Sequence, residues 1–267
     1  MEKNQAIWRL FALTLTLGTV VLAASCREET TQDSAHLGND QALATQKIKE
    51  ALEFYKQRED FRKVRQGVTL LREARTGDYG NYEAAWRLAQ FNYYLGDHTD
   101  NDAERDAAFR EGIEAGKAAV KLQDNKPEGH FWLGANYGGA AKADTLAGLS
   151  SFSDIKSEME KVMSLDEGYQ SGSAYLGLGQ LYLEAPRLMG GDHQKAVEYL
   201  EKGLRFGANN ALLRLRLAEA YEAADRVPDA RKQIEYISQM TTDPEYQPEY
   251  KDAVEKAKKL QEKIDRK

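Results

Sequence analysis

Apolar residues recur at spacings of three and four along most of this chain. Leu52 and Tyr55 begin one stripe, Phe61, Val64, Val68 and Leu71 form a second, and Val197, Leu200 and Leu204 a third. That period is the helical one. Around the stripes stand Ala, Leu, Glu, Lys, Gln and Arg, the residues that lose least on entering a helix. Strand signals are scarce: from Gln41 onward there is no Asn-Gly or Asp-Gly hairpin turn and no alternating β-branched run. The pattern predicts an all-α body of about eleven helices with no sheet, stacked as antiparallel pairs.

The helices repeat a theme. Tyr175, Leu178, Gly179 and Tyr182 have the spacing of a first tetratricopeptide helix: a large aromatic, Leu-Gly three residues on, then Tyr. His130, Leu133, Gly134 and Tyr137 keep Leu, Gly and Tyr but lack the leading aromatic. Trp86, Ala89, Gln90 and Tyr93 keep both aromatics and lose Leu-Gly. Leu217, Ala218 and Tyr221 form a weaker fourth copy, whose second helix follows with Ala230 and Ile234 and closes at Asp243-Pro244. The small residue lets paired helices approach, and the aromatics fill the space between them. Leu178, Gly179 and Tyr182 are therefore expected in the core. Two helices, about 42–57 and 60–75, precede the first copy. A last one, 248–266, carries Tyr250, Val254, Ala257, Leu260 and Ile264 on one stripe and Lys and Glu opposite, as a solenoid cap should.

The copies are too long. Their Tyr landmarks, 93, 137, 182 and 221, lie 44, 45 and 39 residues apart, against about 34 for a tetratricopeptide unit. Each unit therefore carries an insertion, expected at 96–107, 138–153 and 184–192. The first is polar and acidic. The second is small and weakly apolar, and is expected to pack over the concave side or to form a short helix around 144–149. In the third, Pro186 ends one helix and Asp192 is placed to cap the next.

The first 25 residues do not fit this pattern. Lys3 and Arg9 precede an uncharged run, Leu10 to Ala24. As a helix it would span only about 22 Å, short of the roughly 30 Å of a bilayer core. It reads as a secretory signal. The run ends Leu22-Ala23-Ala24-Ser25-Cys26, which resembles a bacterial lipobox with its Leu one place early, and Cys26 is the sole cysteine of the chain. The expectation is a lipidated Cys26 on a polar tether, 26–40, leading to a single domain over 41–267. By resemblance to lipoproteins of double-membrane bacteria, Arg27 in place of Asp implies sorting to the outer membrane, with the body in the periplasm.

Composition excludes more than it assigns. Among 267 residues, 37 Lys and Arg against 43 Asp and Glu give a net charge of −6, an unfavourable balance for binding nucleic acid. One cysteine makes neither an internal disulfide nor a cysteine metal site. The four histidines, His36, His98, His130 and His193, do not have the two-His zinc spacing, and there is no nucleophile elbow or phosphate loop. The carboxylates from Asp100 to Glu111 mimic a calcium loop, but Arg105 stands where its sharp turn needs Gly. Helix-start acids are the simpler reading. No catalytic residue, cofactor or metal is expected.

Three segments carry a family likeness: NYEAAWRLAQFNYYLGD from Asn81, KPEGHFWLGANYG from Lys126, and LGQLYLEAPRLMGGDHQKAVEYLEKGL from Leu178. With the lipoprotein signal, the chain resembles the TRAP transporter T-component family over about 41–263. The resemblance implies a periplasmic tetratricopeptide-like lipoprotein associated with a solute-binding protein that feeds a membrane transporter. It brings no ligand set for particular residues. A general tetratricopeptide lipoprotein of envelope assembly is the alternative, and self-association is left open. If the chain serves transport, its concave side should form an apolar pocket, with Trp132, Tyr137, Tyr175 and Met189 as candidate lining. Phe131 and Trp132 cannot both face inward beside Leu133 and Tyr137, so one of them should line a groove.

Overall fold

The computed structural model describes residues 40–143, 145–242 and 244–266. The expected signal and nearly all of the tether, Cys26 included, lie outside these residues. Among them are eleven α-helices and no strand. Helix α1 occupies residues 40–55. It is followed by α2 (Phe61–Gly77), α3 (Tyr82–His98), α4 (Asp102–Leu122), α5 (Pro127–Ala143), α6 (Thr145–Leu165), α7 (Tyr169–Glu184), α8 (His193–Gly203), α9 (Ala211–Ala223), α10 (Val227–Gln239) and α11 (Gln247–Asp265). No described helix is long and apolar enough to cross a membrane.

Antiparallel pairs α3–α4, α5–α6, α7–α8 and α9–α10 form the stack. Leu178 is fully buried and Tyr182 nearly so. A Cβ added at Gly179 would sit 2.3 Å from Leu200 Cγ, so α7 and α8 meet at a contact that only glycine allows. The repeat register read from the sequence is therefore the structural one. Odd-numbered helices from α3 to α11 also touch in succession. Successive even-numbered helices do not pack this way; α2 and α4 are spanned by long side chains instead, where Arg65 and Arg72 fork onto Glu104 and Glu111. The array thus bends with its odd-numbered helices inside.

Two expected insertions are not loops. The surplus of 96–107 and of 138–153 lengthens helices, so that α4 and α6 each run 21 residues. At the first, Asn101 caps α4 by accepting the Glu104 N–H, and Glu104 takes the Thr99 hydroxyl. With Arg65 on it as well, the Glu104 carboxyl is held down to about 2. These acids start a helix and pair with arginines, as helix-start residues do. Only 184–192 is a true insertion. It holds a 3₁₀ turn, Arg187–Met189, closed by Gly190 at φ 104°, and Asp192 caps α8 through Gln194 and Lys195.

One local feature gave no sequence signal. Gln170, Ser171 and Gly172 are all left-handed, at the start of α7. Ser171 and Gly172 press against the backbone of Gly207 and Gly203, so neighbouring chain dictates the turn.

The two ends of the array meet. Arg58, in the turn between α1 and α2, is 4% exposed and donates from Nε and Nη2 to both oxygens of Glu249 in α11, at 2.8 and 2.6 Å. Its guanidinium lies 5.0 Å from the Tyr55 ring centre, and Lys251 reaches Glu59 at 3.3 Å.

Candidate functional site on the inner face

The inner face collects aromatic and charged groups from four helices. Tyr93 of α3 packs on Trp132 of α5, with ring centres 5.8 Å apart. Trp132 meets Phe131 edge-on, and Phe131 reaches Tyr169 at 5.4 Å. Arg216 of α9 donates to Glu219 at 2.7 Å and lies 3.9 Å from Glu184 at the end of α7. Glu184 in turn takes Lys142 of α5 at 3.2 Å. Burial pushes the Tyr93 hydroxyl well above the ordinary tyrosine range, with Asp97 and Glu184 adding to the shift and Arg216 opposing it. The phenol of α3 thus shares one electrostatic environment with the charges of α7 and α9.

This face is rich in unused donors. Trp132 Nε1 and Arg216 Nε are buried without a hydrogen-bond partner among the described residues, and Arg87 Nε has only Glu83 Oε1, at 3.6 Å. A buried donor left unpaired costs about 1–3 kcal/mol. Arg87 stacks 3.9 Å over Trp86, and burial lowers its pKa from the ordinary arginine value. Flat aromatic walls with spare N–H groups suit a ligand that is apolar in its body and carries acceptors.

The four residues singled out from the sequence do not converge. Trp132 lies on the inner face, buried between α3 and α5. Tyr137, five residues on, points elsewhere: it packs with Ile155 and Met159. Tyr175 is buried, donates to Glu167 and stacks on Phe206. Met189 is half-buried in the 3₁₀ turn. Of the adjacent aromatics, Trp132 is the buried one, and Phe131 is half-exposed between two apolar clusters. Sequence reasoning missed Arg87, Glu184 and Arg216, since a charged residue on a helix reads as solvated until the helix is placed. The insertion at 184–192 meets the lengthened α6, as Phe152 packs edge-on to Tyr182 and against Gly190. Beside them Leu188 stands fully exposed.

His130 is not part of this face. Its Nδ1 lies 2.6 Å from Glu158 and its Nε2 3.0 Å from the Asp124 carbonyl oxygen. Both neighbours are acceptors, which favours the doubly protonated ring. It ties α5 to α6 and to the turn before it. Among the described residues no group of His, Cys, Asp and Glu is arranged to hold a metal ion.

The model of the TRAP transporter T-component family matches residues 93–265. The chain belongs to that family. No curated protein matches it. Solved structures share its fold. A thermophilic tetratricopeptide-repeat protein of Thermus thermophilus is 20% identical, with a TM-score of 0.59 over 79% of this chain and 98% of its own. PilF of Pseudomonas aeruginosa is 17% identical, with a TM-score of 0.54 over 82% and 90%. The fold is thus a tetratricopeptide-like stack, in a family associated with TRAP transport.

Proposed function

We propose that this T-component is the periplasmic accessory of a TRAP-type transporter. Lipid on Cys26 holds it to the outer membrane, and it binds a solute-binding protein and an apolar ligand. The inner face carries this reading. Tyr93, Trp132, Glu184 and Arg216 all fall within the span that matches the family, and they combine aromatic walls with unpaired donors. Proteins pair all but a few of their buried N–H groups, so unmatched donors beside one aromatic wall favour a ligand that brings acceptors. Calorimetric titration of the protein, without its anchor, against the solute-binding protein of its transporter tests the reading. Binding that weakens in Arg216→Ala and Trp132→Ala supports it. If no binding occurs, and periplasmic pull-downs recover only cell-wall or assembly factors, the envelope-assembly role takes its place.

A further inference from the structure

In a linear helical-repeat array each unit touches only its neighbours. Here the first and last units touch, through residues 191 positions apart. Their junction differs from the helix pairs of the stack, which meet across apolar clusters. One apolar cluster runs from Ala44 to Trp132 and another from Tyr182 to Ile264, and among the described residues neither crosses from α1–α2 to α11. In its place stand the Arg58–Glu249 fork and the Lys251–Glu59 pair, beside a cavity of about 250 Å³. Phe61, Tyr94, His98 and Pro248 wall that cavity, with Glu249 and Asp252 in its lining. Separating these ends parts no shared apolar cluster and returns both ions to water, which offsets the loss of their attraction. Parting any helix pair within the stack would instead open a buried core.

We propose that this seam is a gate, latched by Arg58 on Glu249, whose opening converts the closed ring of helices into an open arc. While the latch holds, the seam closes the side between the first helices and α11. The open arc admits a partner from the side, one too large to thread the ring. Polar contacts around a void are suited to this, because they hold one geometry when closed and release without unfolding either end.

Glu249→Gln keeps the shape and removes the charge. In this variant, amide exchange in residues 40–77 should accelerate by about tenfold or more while α4 to α10 keep their protection. Arg216 is 18% exposed and lies on the inner face. A cysteine there, as Arg216→Cys in the Cys26→Ser background, should react faster with a long polyethylene glycol maleimide once Glu249→Gln is added. Its rate with N-ethylmaleimide should change little. The exchanged pair, Arg58→Glu with Glu249→Arg, should restore both readouts. If Glu249→Gln does not fold, raising the salt on the parent protein should give the same selective exchange, since salt weakens ion pairs. Equal polymer labelling with and without Glu249→Gln, or exchange that rises evenly along the chain, would overturn the gate.

Discussion

At Gly179 the structure leaves no space for a side chain, since Leu200 already fills the position a Cβ would take. Gly179→Leu should therefore overpack α7 against α8 and destabilise by about 1–3 kcal/mol, read as a lower denaturant midpoint. An unchanged midpoint would contradict the close approach. His130 makes a prediction of opposite character. Burial alone would lower its pKa, but its bonds to Glu158 and to the Asp124 carbonyl raise it above the ordinary 6.5. A raised folded pKa adds stability that is complete below the unfolded value and fades as pH climbs through the folded one. The melting temperature should fall as pH rises above 6.5, and Glu158→Gln should flatten that fall. A profile with the same slope in both proteins would mean that His130 is not the titrating group. The sequence exposed Gly179 because its spacing to Leu178 and Tyr182 is local. It hid the role of His130, whose partner on α6 lies 28 residues away.

At the scale of elements, spacing places the helices well and the insertions poorly. Surplus length in each repeat reads as inserted chain, yet 138–143 and 145–153 simply continue helices. Nothing between Gly138 and Ala143 breaks a helix, and adding turns to two packed helices buries more surface than a loop would. The insertion at 184–192 stays a loop because Pro186 and Gly190-Gly191 forbid helix there. Its end is set by Asp192, whose side chain accepts from two backbone N–H groups at 3.0 and 3.2 Å. Asp192→Ala should cost about 1 kcal/mol and loosen the first turn of α8. Thermal melting checks the first part, and amide exchange of Gln194 and Lys195 the second. Loss of stability with no local change in exchange would place the cost elsewhere.

For the whole molecule, the proposed anchor and the closed array act at opposite ends of one problem, holding a scaffold near a membrane while keeping its inner face guarded. The anchor is testable apart from the gate. Cys26→Ser should move the protein from the membrane fraction to the soluble periplasm. A variant that still sediments with membranes would show that lipid on Cys26 is not what holds it. The fold itself was legible in the chain because helix period, small-residue contacts and aromatic fillers are local patterns, repeated often enough to reinforce one another. Of the four candidate lining residues, only Trp132 sits on the inner face, beside Tyr93. Arg87 and Arg216 gain their meaning from burial and Glu184 from the cations that reach it, and both depend on how far the array curves. That curvature sums small rotations between helix pairs, which no single repeat records. The sequence by itself determined an all-α stack of tetratricopeptide-like pairs and its register. Only the tertiary structure decided that the stack closes, joining Arg58 to Glu249 across 191 residues, because a contact that distant depends on every packing angle between its two ends.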